Sequence, residues 1–158
     1  MIRRATGLRI VTAVLAGWLF QAAQATAQSA STEATTPQAA AVKICSGCHG
    51  MQIVTDTPRD WDAWHDTVQK MIDRGARGTP EEFDLVMDFL FQNVTPIDVN
   101  HADQETLMAI LHAPQPAAQA IIARRSSRPF KDLADLEGAV PSLNRVLLDA
   151  KAKMIFFQ

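Results

Sequence analysis

Apolar residues recur along this chain at spacings of three and four, the period of an α-helix, and no alternating apolar/polar run is long enough to argue for a strand. A first predicted helix covers residues 39–48, with Val42, Lys43 and Ile44 leading into its last turn, and residues 50–59, containing Thr57-Pro58, read as a loop. Asp60-Trp61-Asp62-Ala63 opens the next helix with acids in its first turn, where the helix dipole favours them. Trp61, Trp64, Val68, Met71 and Ile72 then share one face that is expected to look inward. Gly75, Gly78 and Pro80 interrupt the pattern before Thr79-Pro80-Glu81-Glu82 caps a helix whose stripe is Phe83, Val86, Met87, Leu90 and Phe91. Beyond Thr95-Pro96, Asp103-Gln104-Glu105-Thr106 begins a helix carrying Leu107, Ile110 and Leu111. Pro114 and Pro116 mark a turn, and residues 117–125 form a helix expected to face a core through Ala120, Ile121 and Ile122. Two more helical patterns, 133–136 and 143–153, lead to Ile155-Phe156-Phe157. The fold class expected is all-α.

The N-terminal stretch changes how much of this is mature protein. Arg3, Arg4 and Arg9 form a basic n-region, residues 10–20 an apolar h-region, and Ala25-Thr26-Ala27 an A-x-A cleavage site, so 1–27 reads as a signal peptide. Its apolar run is short for a bilayer span; extension through Ala22 and Ala23 is the alternative of an uncleaved anchor. Residues 28–38, rich in Ser, Thr, Ala and Gln, read as a flexible linker. Two domains follow, 39–94 and 95–158. Cleavage removes three arginines and no acid, leaving 12 basic against 17 acidic residues, a net charge of −5 with His neutral. A mildly acidic, periplasmic protein without a membrane span after cleavage is expected.

The candidate chemistry is concentrated in Cys45-Ser46-Gly47-Cys48-His49. This C-x-x-C-H run is the attachment signal of a c-type haem: two thiols three positions apart can each form a thioether to a haem vinyl group, and His49 can serve as proximal iron ligand. A thioredoxin-like pair needs a βαβ context, and structural zinc needs four ligands. Neither context is present, and these are the chain's two cysteines. A structural disulfide or a chance occurrence of the motif is the alternative. One covalent haem c is the expected cofactor. Arg3-Arg4 invites a twin-arginine route, but haem attachment after unfolded export favours general secretion.

Residues 45–94 resemble the small monohaem class I cytochromes c of bacteria. Besides Cys45-Ser46-Gly47-Cys48-His49, the likeness rests on Trp61-Asp62-x-Trp64-x-x-x-Val68-x-x-Met71, on Arg74-Gly75-Ala76, on Glu81-Glu82, and on Phe89-Leu90 where the family usually has Tyr-Leu. Such domains serve as electron-accepting modules of periplasmic dehydrogenases. Met71 is the expected sixth iron ligand, because a thioether suits Fe(II) and Met71 stands on the Trp-bearing face just before the glycine loop. Met87, Met51 and His65 are the alternatives, and plain core packing is the bland reading of Met71. Arg59, Arg74 and Arg77 are candidate partners of haem propionates.

Residues 98–157 resemble the tandem helix-hairpin-helix domain of ComEA-like DNA-uptake proteins. The matching residues are Val99-Asn100-x-Ala102-Asp103-x-Glu105-x-Leu107, Leu111, Ala120-Ile121-Ile122-Ala123-x-Arg125, Pro129-Phe130-x-Asp132-Leu133-x-Asp135-Leu136 and Val140-Pro141. The resemblance implies phosphate capture by glycine-rich hairpins. Here the hairpins read Leu111-His112-Ala113-Pro114-Gln115-Pro116 and Val140-Pro141-Ser142-Leu143, with prolines that have no N–H where glycines are expected. From Asp98 onward seven basic residues balance seven acidic ones, although Arg124, Arg125, Arg128 and Lys131 cluster.

Together these features describe a cytochrome c domain followed by a helix-hairpin-helix module acting in docking or spacing rather than on DNA. The expected function is a periplasmic carrier of single electrons whose redox partner is a periplasmic dehydrogenase or terminal oxidase. No residue is assigned a catalytic role, since there is no Ser/His/Asp constellation and no acid pair with a pocket signature; His65, His101 and His112 read as surface or capping residues. The alternatives are a ComEA-like DNA-binding protein bearing a haem and a haem-based small-ligand sensor with an open or weak sixth site.

Overall fold

Helix α4, Pro80–Val94, is the axis of the first half of the molecule in the computed structural model, which describes residues 33–158. The predicted signal peptide, and the linker as far as residue 32, lie outside the described residues. Pro80 occupies the first helical position, and Thr79 and Glu82 form a complete capping box, each satisfying the other's backbone N–H. Around α4 pack α1 (Pro37–Cys45), α2 (Gln52–Thr55) and α3 (Trp61–Asp73). Ala40 and Ala41 are fully buried in the α1–α4 contact, and their small size lets the two helices approach closely.

Several expected boundaries move. The first helix starts at Pro37, capped by Thr36, and ends at Cys45; Ser46–Cys48 form a turn rather than its last residues. Residues 34–38, expected in a flexible linker, are held: the Ala34 N–H donates to Glu82 Oε1 at 2.8 Å, and Pro37 and Gln38 are already helical. The expected loop 50–59 contains α2. The expected α4 stripe also rotates, with Val86, Phe89 and Leu90 buried while Phe83, Met87 and Phe91 are half-buried.

The second half begins with β1 (Ile97–Asp98), which pairs in parallel with β2 (Ile155–Phe156), Ile97 opposite Ile155. This pairing was not expected, since two-residue strands carry no period. Between the strands come α5 (Gln104–Ile110), α6 (Gln115–Ser127), α7 (Leu133–Ala139) and α8 (Arg145–Ala150), followed by a 3-10 turn at Ala152–Met154. Asp103, Asp132 and Asn144 cap α5, α7 and α8 with their side chains. The core-facing positions of α6 are Ala117, Ala118 and Ile121, not the expected Ala120, which is exposed; Ile122 is half-buried. Asn100 bridges the two helix pairs, accepting from the Phe130 N–H at 2.8 Å and donating to the Phe130 carbonyl at 2.9 Å.

Two apolar cores result, one from Ala40 to Val94 and one from Ile97 to Ile155, within a single compact body. Helices dominate it, and the all-α class holds with the addition of the small β pair. Lys151 bridges the cores. Its side chain is buried, and Nζ donates to the carbonyl of Ile110 at 2.6 Å and to that of Gln92, near the C-terminal ends of α5 and α4. Burial pulls its pKa down to about 8 from 10.5. The unfolded chain therefore holds more protons between these values, so this group adds stability as pH rises from about 8 toward 10.5. Lys151→Met, which orphans two carbonyls, is expected to cost about 1–3 kcal/mol in chemical denaturation at neutral pH. Its deficit against the parent is expected to grow as pH rises through that window.

Candidate functional site

A cavity of about 500 Å³ lies between α1, α2, α3 and α4, and its walls collect most of the residues that the sequence singled out. Cys45 arrives from the end of α1, Cys48 and His49 from the turn that follows, and Met71 from the last turns of α3. Ile44, Val54, Trp64, Val68, Val86 and Leu90 contribute much of the apolar wall. Arg59 and Arg74 reach it as well, whereas Arg77 does not line it.

The local sequence explains why Met71 stands where it does. Helix α3 ends in a Schellman motif: Gly75, in the left-handed region at φ +97°, donates its N–H to the Ile72 carbonyl at 2.8 Å, and Ala76 donates to the Met71 carbonyl at 2.9 Å. A glycine is the residue for that conformation, and the reversal brings Arg74 and Ala76 to the same cavity as Met71. At the helix's other end, Trp64 Nε1–H and the Arg59 N–H both donate to the Val94 carbonyl at 3.3 Å, pinning α3 and the preceding loop to the end of α4. The Arg59 guanidinium sits 5.7 Å from the centre of the Trp64 ring.

The expected inward face of α3 divides between two depressions. Trp64, Val68 and Met71 line the cavity; Trp61, His65, Val68 and Ile72 line a separate groove of about 370 Å³ shared with Phe83, Asp84, Met87 and Asp88 of α4. Trp61 is 45% exposed there, its ring edge-on to Phe91 at 5.6 Å. Of the four side chains weighed as a sixth iron ligand, the cavity wall includes Met71 and not Met51, His65 or Met87.

His49 Nδ1 lies 3.2 Å from the Gly50 carbonyl. A carbonyl only accepts, so in the neutral ring this contact favours the tautomer with the proton on Nδ1 and the Nε2 lone pair open to a metal. Burial raises the pKa of the Cys45 thiol. That is the reverse of the depressed value an attacking thiolate needs, and the two cysteines are free rather than bridged. No three His, Cys, Asp or Glu side chains among the described residues converge as a compact metal site requires. Cys45, Cys48 and His49 instead all line one largely apolar cavity, which suits a large group held covalently by the two thiols and ligated by the imidazole. Its volume falls in the roughly 300–1,000 Å³ range of cofactor sites. The residues present therefore fit a haem.

Sequence reasoning missed Glu82, which holds the site together from outside it. Its carboxylate is buried, with Oε1 accepting from Lys43 Nζ at 2.6 Å as well as from Ala34, and Oε2 accepting from the Thr79 N–H at 3.2 Å. Lys43 precedes Cys45 by two residues, so this clasp fixes the helix from which the cysteine turn springs. The sequence marks Gly78 only as a breaker; a Cβ there would stand 2.6 Å from Ile44 Cδ1, so a larger residue would displace the tip of that side chain on the cavity wall. The capping-box spacing was the one available signal for Glu82, and it does not foretell Lys43 or Ala34.

In the second half, two arginines of the basic cluster, Arg124 and Arg125, are engaged internally, while Arg128 and Lys131 are exposed. Arg124 donates to the carbonyls of Arg128 and Pro129, pairs with Asp135 at 2.7 Å and stacks 4.3 Å from the Phe130 ring centre; Arg125 donates to the Val99 carbonyl at 2.7 Å. His112 takes the left-handed conformation, φ +49°, in the first hairpin.

Comparison with protein-family models, with curated proteins and with solved structures returns no match.

The pKa of Glu82 is lowered from 4.5 to about 2, first by the Lys43 hydrogen bond and then by that of Ala34. A depressed carboxylate contributes stability above its unfolded value, lost as pH falls from about 4.5 to about 2. Glu82→Gln is expected to lower the thermal midpoint at neutral pH, with the gap to the parent closing as the pH approaches about 2. A gap independent of pH would show that the carboxylate charge is not what holds α1.

Proposed function

We propose that this chain is an exported monohaem c-type cytochrome carrying single electrons to or from a periplasmic dehydrogenase or terminal oxidase, with a C-terminal helix-hairpin-helix module for docking or spacing. The observation that carries the reading is the gathering of Cys45, Cys48, His49 and Met71 on the wall of one apolar cavity. Cys45 and Cys48 would hold the haem covalently, His49 would ligate its iron through Nε2, and Met71 would be the sixth ligand. Bound there, the haem supplies a one-electron iron couple. The chain's own contribution is to exclude water with Ile44, Val54, Val86 and Leu90, and to offer Arg59 and Arg74 to carboxylates at the cavity wall. Burial of the Cys45 thiol weighs against a dithiol redox enzyme.

The state of its cations weighs against DNA as the partner of the second half. Arg124 and Arg125 are spent on backbone carbonyls, Asp135 and Phe130, and Pro114 offers no N–H at the head of α6. Phosphate capture needs free donors and a basic surplus.

Protein matured with a haem-attachment pathway is expected to retain one haem per chain after acid-acetone extraction, read by mass and absorbance. Haem that extracts freely would refute the reading. Met71→Ala is expected to abolish the near-infrared sulfur-to-iron band and lower the reduction potential, while Met87→Ala leaves both in place. Loss of the band in Met87→Ala instead would move the ligand to α4. Duplex DNA is expected to bind the full chain no better than roughly 10⁻⁴ M at physiological salt. Micromolar binding that steepens at low salt would promote the nucleic-acid reading.

A further inference from the structure

Helices α3 and α4 leave a groove that adjoins the cysteine turn's cavity. Its lining joins the apolar side chains of Val68, Ile72, Phe83 and Met87 with His65 and Gln69, and Trp61 stands partly exposed among them. Asp84 and Asp88, one helical turn apart on α4, line it too, both exposed and neither paired with a basic side chain among the described residues. No Lys or Arg lines the groove. We infer that this groove docks a basic, apolar-anchored segment of a partner protein.

Tryptophan, methionine and other apolar side chains together, with carboxylates beside them, form the kind of composition that protein interfaces favour. An apolar side chain of the partner packs against Met87 and Ile72, and its lysines or arginines face Asp84 and Asp88. Attraction between opposite charges speeds encounter and rejects acidic surfaces, while the apolar anchor sets how long the complex lasts. Val68 and Phe83 belong to the walls of both depressions, so a segment seated in the groove rests on the side chains that enclose the cavity. Electron exchange across that shared wall rests on the haem reading; docking in the groove does not.

The test uses the full mature chain, haem-loaded, with methyl-labelled methionine, and as probe a synthetic amphipathic peptide with leucine and lysine at helical spacing. The Met87 methyl resonance is expected to shift saturably with peptide, while Met108, in the second core, stays in place. Joint substitution Asp84→Asn and Asp88→Asn is expected to weaken binding about tenfold, as is raised salt to a lesser degree. Both aspartates are exposed, so the variant keeps its fold. A Met87 signal that never moves, unchanged affinity in the double variant, or equal binding of a peptide with glutamate in place of lysine would each overturn the inference. So would a Met87 shift that follows protein concentration without peptide, which would identify a second copy of the chain as the occupant. Acid-acetone extraction on the same samples tests the haem separately, so failure of that reading and failure of docking are told apart.

Discussion

The buried carboxylate of Glu82 is the constraint on which the site's geometry depends. It sits in the first turn of α4, where exposed helix N–H groups favour negative charge, and it gathers donors from Lys43, Ala34 and Thr79 onto two oxygens. Helix α1 is nine residues long and meets α4 largely through alanines, so apolar area alone orients it weakly. A directional ion pair supplies what the alanines cannot. Because Cys45 ends α1 and Cys48 and His49 follow within a turn, fixing α1 fixes all three donors relative to α3 and Met71. Breaking such a pair on one side leaves an uncompensated charge, which is why the clasp is more sensitive than its small size suggests.

What could be read in advance was local chemistry. The Thr79 cap and the Gly75 stop are each encoded within a few residues and stand where their local rules place them, whereas the Cys45-to-His49 motif, expected within a helix, leaves it after Cys45. Long-range geometry was not legible. The stripe Trp61, Trp64, Val68, Met71, Ile72 has the right period, but periodicity gives a face and not the number of surfaces that face meets. One helix with neighbours on two sides distributes Met71 to the cavity and Ile72 to the groove. The β1–β2 pairing joins Ile97 to Ile155 across the whole second half, through strands too short to show alternation.

Lys151 was equally invisible, since a lysine in a polar C-terminal stretch reads as surface. Its ammonium instead sits between the ends of α4 and α5, where helix carbonyls would otherwise be unpaired. Desolvation opposes its charge, and the carbonyls and the C-terminal ends of two helix dipoles favour it. The two apolar cores are thereby joined by a polar seam as well as by hydrophobic packing, Phe91 of α4 lying against the second core and Met154 against the first.

The same logic separates fold resemblance from function in the second half. Counting charges there finds a basic cluster; following each donor to its acceptor finds Arg124 and Arg125 turned inward, holding the 128–130 segment and the Val99 carbonyl. A guanidinium committed to carbonyls and a carboxylate has already lost the donors a phosphate would need, and releasing it would expose the Phe130 packing that it covers. The first half presents the opposite case. Asp84 and Asp88 have no basic side chain opposite them, beside apolar side chains with a tryptophan at hand. Unspent charge next to uncovered apolar surface is where an interaction still has free energy to gain, and that asymmetry is the ground for proposing a partner on α3 and α4.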